Sequence, residues 1–172
     1  MFVPLTIKDH LERADLVYGN RIGIIDEPDQ PAQPMMAMTY SSFAAKATAM
    51  AKGFEELGVA QQGRVAMVSH NASRMLTFLF GTAAWGRIGV PINFRLNHEE
   101  ISYIIEHSGA EVLIVDPELE DTLKEVKVKH FFCMGRDSDE VLFKVGEPTP
   151  WVPDEDATAT INYTSGTTAR PK

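Results

Sequence analysis

Apolar positions along this chain change period several times, and each change marks an element. Ile7, Leu11 and Ala14 recur at helical intervals within residues 6–17, which predicts a short amphipathic helix. Residues 22–25 read as a strand. Pro28, Pro31 and Pro34 then interrupt any periodicity, so residues 26–34 form an exposed loop before a second strand over 35–40, together a hairpin flap. Residues 41–57 are rich in helix formers. Phe43, Ala47, Met50, Ala51, Phe54 and Leu57 make their apolar stripe, and Gly58 ends the helix as a C-terminal cap.

Shorter, wholly apolar runs follow. Residues 65–68 are short enough for a strand buried on both faces. Asn71 or Ser73 can cap the next helix, which runs through Met75, Leu79 and Phe80 to Trp85 and is broken by Gly86 and Gly89. Residues 90–93 read as a strand. Asn97, with Glu100 three positions on, has the pattern of a capping box; Ile101, Ile104 and Ile105 continue as an apolar face, and Gly109 stops the helix. Residues 112–115 are a second buried strand, 117–126 a helix, and 128–134 a further strand. Alternating strands and helices predict an α/β fold with a mostly parallel sheet flanked by helices. Residues 135–156 read as a surface excursion whose only large anchor is Trp151, and residues 158–163 as a returning strand.

Composition narrows the class without naming a function. The 172 residues fit one domain, and 44% apolar with 23% charged residues is ordinary for a globular protein. Sixteen basic against 24 acidic residues give a net charge of −8, which disfavours nucleic acid as a partner. No run is long enough for a membrane span, and the N-terminus lacks the apolar core of a signal peptide, so the expected location is cytoplasmic. Cys133, the one cysteine, sits in an apolar run and reads as a buried small hydrophobe instead of a reactive thiol. His10, His70, His107 and His130 show no metal-ligand spacing, and Phe78, Phe80 and Trp85 read as core.

The chemistry is concentrated at the end of the chain. Thr164, Ser165, Gly166, Thr167, Thr168, Ala169, Arg170, Pro171 and Lys172 follow directly on a strand-like run. Successive amides around a glycine can converge on an anion, hydroxyls add donors or magnesium ligands, and a lysine adds charge. The Gly-Lys-Ser/Thr ending of a Walker A loop is missing.

This string, from Tyr163 to Lys172, resembles the phosphate-binding signature of the adenylate-forming enzymes: acyl-CoA synthetases, luciferases and peptide-synthetase adenylation domains. Residues 86–116 are similar to the segment that precedes that signature in fatty-acyl-CoA and aryl-CoA ligases, through Pro91, Ile92, Asn93, Arg95, Leu96, Glu100, Ile101, Ser108 and Gly109. Thr39 and Tyr40, ahead of an alanine-rich helix, match the N-terminal region. The resemblance implies that Thr164, Ser165, Gly166, Thr167 and Thr168 wrap the β- and γ-phosphates of ATP, that Thr167 contacts magnesium, and that Lys172 neutralises phosphate charge. The family carries glycine where this chain has Ala169.

The resemblance further implies an ATP-dependent ligase that joins a fatty or aromatic carboxylic acid to coenzyme A through an acyl-adenylate. Its adenine-binding segments, acidic metal ligand and adenylating lysine lie downstream of the signature. Residues 1–172 are therefore expected to be the N-terminal part of the adenylation domain, truncated at the phosphate loop, with no catalytic residue of their own and no independent activity. A non-catalytic structural or nucleotide-binding module, and an adenylation domain that loads a carrier protein, stand as alternatives. A severed sheet edge is expected to favour a homo-oligomer or strand exchange.

Overall fold

The computed structural model describes residues 3–164. Its centre is a four-stranded parallel sheet in the order β4-β3-β5-β6, built from β3 (Arg64–Ser69), β4 (Ile88–Asn93), β5 (Val112–Val115) and β6 (His130–Cys133). The chain steps from β3 to β4 in one direction, then crosses back over β3 to reach β5. Crossovers of this kind keep one hand, so a reversal of direction places the connecting helices on opposite faces.

That is how the core divides. Ala66, Val68, Val90, Ile92, Leu113 and Val115 face α4 (His98–Ser108), packing on Ile101, Ile104 and Ile105. The alternate residues Val65, Met67, Val112 and Ile114 face the other way, onto Met50 and Phe54 of α2 (Tyr40–Glu56) and Phe78 of α3 (Ser73–Ala83). A third cluster lies outside α2 and α3. There Leu11 of α1 (Ile7–Tyr18) and Met38 of the flap, β1 (Ile22–Ile25) with β2 (Ala37–Thr39), meet Phe43, Ala47, Ala84 and Trp85.

Several local expectations hold. Asn97 and Glu100 form the reciprocal capping box, and Gly109 closes α4 at φ 65°, a left-handed conformation that favours glycine. Cys133 is buried, and burial pushes its thiol pKa up, away from thiolate chemistry.

Other expectations are corrected. Residues 117–126 are not one helix: a 3-10 turn at Pro117–Leu119 leads into the single-turn α5 (Glu120–Leu123). Gly89 does not end a helix but lies within β4, where an added Cβ would meet the Thr82 hydroxyl oxygen at 3.0 Å and the Phe78 ring. The excursion after residue 134 has more anchors than Trp151. It contains α6 (Ser138–Leu142), whose Leu142 is buried against α2, and whose Asp139 carboxylate pairs with the guanidinium of Arg74 at 2.9 Å. Gly53 lets this turn approach, because an added Cβ there would lie 2.1 Å from the Leu142 carbonyl oxygen.

Neither Asn71 nor Ser73 caps α3. The N-cap position is Ala72, which offers no side-chain acceptor. Asp26 supplies one from the flap: its carboxylate accepts from the Ser73 amide at 2.9 Å, from the Met35 amide at 2.7 Å and from the Glu27 amide at 3.1 Å. Burial alone would raise the pKa of this carboxyl group, but the hydrogen bonds from Ser73 and Met35 outweigh it and hold the pKa below the ordinary value. Replacing Asp26 by alanine is expected to cost about 2–3 kcal/mol in urea unfolding at neutral pH, since a charged cap and two further amides lose their acceptor. A carboxyl whose folded pKa is depressed stabilises above its unfolded pKa, about 3.9, and loses that contribution as pH falls through the folded pKa. The deficit of the alanine variant should therefore shrink in acid; a deficit constant down to about pH 2 would contradict it.

Candidate functional site

Of the residues predicted to bind phosphate, Thr164 is described and is exposed; Ser165, Gly166, Thr167, Thr168 and Lys172 lie outside the described residues. The structure therefore bears on how the chain approaches the signature. A strand was expected over 158–163, but the segment makes a single parallel bridge, Thr160 with Gly89 at the outer edge of β4. The Gly89 amide donates to the Ala159 carbonyl at 3.0 Å, and the Ile161 amide donates to the Gly89 carbonyl at 2.9 Å.

Pro91 explains why the ladder stops there. Two residues beyond Gly89, it would present its amide to the same side, and proline has none. Its other side costs nothing, because Pro91 stands opposite Met67 in the β3–β4 register without needing to donate toward β3. Past Ile161 the approach is held by side chains. Ile161 and Tyr163 both pack on the α4-side core. The Tyr163 hydroxyl and Nδ1 of His107, in the last turn of α4, lie 2.7 Å apart in a hydrogen bond. The His107 ring stacks on Tyr103 at 5.4 Å between centroids and meets Tyr163 edge-on at 5.8 Å. Burial, then the neighbouring Tyr103, raise the Tyr163 pKa, so the phenol stays protonated near neutrality.

A second group of polar residues gathers at the carboxyl ends of β3 and β5, where the crossover changes direction. In open α/β sheets this crevice is the usual place for ligands. His70, just after β3, stacks on Phe94 at 3.8 Å, and its Nε2 lies 2.6 Å from the Glu118 carboxylate. Asp116, just after β5, is 2% exposed and accepts from the His70 amide at 2.7 Å. Burial pushes the Asp116 pKa up more than the His70 amide lowers it. Among the described residues no group of three His, Cys, Asp or Glu side chains is arranged to hold a metal. An open groove of about 770 Å3 lies between α2 and residues 143–147, lined by Ser41, Ala45, Thr48, Phe143 and Val145, away from the approach to Thr164.

His107, Tyr103, Pro91 and Asp116 were not singled out from sequence for any role at the site. The i,i+4 spacing of Tyr103 and His107 is the one signal that could have joined two of them on a helix face. Nothing local ties either to Tyr163.

Residues 12–172 match the family model described as AMP-binding enzyme, and the chain belongs to that family of adenylate-forming enzymes. It is 30% identical over 184 aligned positions to the 4-hydroxybutyrate–CoA ligase 2 of Metallosphaera sedula, with 94% of this chain and 32% of that protein covered. It is 29% identical to a long-chain-fatty-acid–CoA ligase of Thermus thermophilus, covering 98% of this chain and 32% of that protein. Among solved structures it superimposes on the N-terminal domain of FACL13 from Mycobacterium tuberculosis with a TM-score of 0.81 at 28% identity, covering 97% of this chain and 43% of that one. It shares its fold with the anthranilate CoA ligase AuaEII at a TM-score of 0.84 and 23% identity, covering 99% of this chain and 33% of that one. The chain thus spans about a third of the length of the curated relatives it matches.

The buried Asp116 gives this edge of the sheet a testable property. A carboxyl whose folded pKa is raised is penalised once it ionises, so wild-type stability is lost as pH rises through that folded pKa. Asp116→Asn keeps an acceptor for the His70 amide without the charge. Relative to wild type, it is expected to gain stability in urea unfolding as pH rises above about 4, the ordinary carboxyl pKa. A variant that loses ground as pH rises would contradict the assignment.

Proposed function

We propose that this chain is the N-terminal part of an AMP-forming acid–CoA ligase, its residues 1–172 being the first portion of the adenylation domain up to the phosphate-binding loop. The observation that carries this reading is the family match over residues 12–172, which runs through the hydroxyl-rich signature. That the relatives include ligases for 4-hydroxybutyrate and long-chain fatty acids supports a carboxylic acid and coenzyme A as substrates.

In the reaction, a carboxylate oxygen attacks the α-phosphorus of ATP and pyrophosphate leaves. The thiol sulfur of coenzyme A then attacks the acyl carbon of the adenylate and AMP leaves. Thr164, Ser165, Gly166, Thr167 and Thr168 wrap the β- and γ-phosphates through amide and hydroxyl donors, and Lys172 balances their charge as pyrophosphate departs. The hydroxyl oxygens of this set suit a hard cation, so Thr167 would hold magnesium, which lends further positive charge to the phosphates. Ala169 stands in place of the family's glycine and narrows the backbone freedom of the loop.

In this reading the chain's own contribution is the phosphate contacts, since the family's adenine-binding segments and adenylating lysine follow the signature. Calorimetry of the 172-residue chain with magnesium and ATP should give millimolar binding or none, because an oriented site with few of its contacts retains little affinity. Micromolar binding would instead favour a self-sufficient nucleotide-binding module. In the intact gene product, ATP–pyrophosphate exchange dependent on an added fatty or aryl acid is expected. Absence of exchange across short-chain, long-chain and aromatic acids would overturn the ligase reading.

A further inference from the structure

The approach to the signature has an anchor that no main-chain ladder provides. Among the described residues, Gly89 makes the last main-chain bonds of this segment, to Ala159 and Ile161. Pro91 has no amide to offer the next carbonyl on that side. Between Ile161 and the first signature residue, Thr164, the Tyr163 hydroxyl and Nδ1 of His107, 2.7 Å apart, make a polar tie to α4, while Asn162 bonds locally to the Thr160 hydroxyl. His107 is itself held by its stack on Tyr103, one helical turn back on α4. α4 is in turn fixed to the sheet by Ile101, Ile104 and Ile105, each at most 2% exposed. A rigid helix therefore reaches across to the residue that precedes the phosphate loop.

We propose that His107 and Tyr163 form a positioning clamp that sets where the phosphate-binding loop leaves the sheet, with Tyr103 holding the imidazole in register. This rests on the reading of Thr164 to Lys172 as the nucleotide's phosphate site. His107 is a positioning residue, since it acts on the loop through Tyr163. Phenol and imidazole suit this work. Tyr163 buries its ring on the α4-side core while its hydroxyl remains at the rim, where exposed His107 can meet it. Tyr163→Phe would preserve the packing and lose only the tie, which separates a clamp from a simple core residue.

The first measurement uses the 172-residue chain and needs no nucleotide. Long-range 15N correlation spectra should show the His107 Nδ1 resonance shift in Tyr163→Phe, and exchange of the Ile161 amide, which donates to the Gly89 carbonyl, should quicken in both Tyr163→Phe and His107→Phe by about threefold to tenfold, the range of one net hydrogen bond. Exchange in the β3 and β5 amides should be unchanged, which controls for global loss of structure.

The second uses pyrophosphate exchange by the intact gene product. Each variant should raise KM for ATP by about threefold to tenfold with KM for the acid unaltered, the double variant should be no worse than either single one, and His107→Gln should return KM for ATP to within about twofold of wild type. An unshifted Nδ1 resonance with unaltered Ile161 exchange overturns the clamp. So does an additive double variant. A wild-type product without exchange overturns the ligase reading instead, and the spectra of the 172-residue chain then decide the clamp alone.

Discussion

β3 and β5 are buried on both faces at once, and the rest of the structure is arranged to keep them so. Val65 through Val68 and Val112 through Val115 have no measurable exposure. Side chains of that size each stabilise the fold by roughly 1.5–3 kcal/mol relative to exposure. A strand so placed cannot tolerate a polar face, and its amides and carbonyls need neighbours on either side. β4 and β6 supply those neighbours. α4 covers one face, α2 and α3 the other, and α1 with the flap forms an outer layer over the α2–α3 pair.

From that constraint follows the polarity of the molecule. All four strands run in parallel, so their carboxyl ends share one edge, and the residues that leave them collect there: His70 after β3, Phe94 after β4, Asp116 after β5. The 159–161 segment joins β4 in the same sense, which carries Tyr163 and Thr164 toward that edge. Thr164, the first residue of the proposed phosphate site, thus lies on a segment directed to the end of the sheet where ligand contacts usually gather. Pro91 then decides how firmly the approach is held, by replacing a main-chain ladder with a side-chain contact.

Much of the architecture was legible because its determinants are local. The period of the apolar residues, the Asn97–Glu100 box and the left-handed Gly109 each act within a few residues, so pattern and propensity find them. The misreadings share one cause. Gly89 reads as a helix breaker until Thr82 and Phe78 are seen crowding it inside β4. Residues 135–156 read as a solvated excursion until Arg74 and Gly53 provide the partner for Asp139 and the room for Leu142.

By itself, then, the sequence determined the class of fold, the helix caps that are local in the chain, and through Thr164 to Lys172 the family. Hydrophobic period and loop chemistry are carried by neighbours in the chain, which is why they can be read along it. Only the tertiary structure decided that Asp26 caps a helix 47 residues away, and that Tyr163 meets His107 across 56. Such contacts arise when a crossover brings distant segments to one edge, and no residue near either partner records that the meeting will occur.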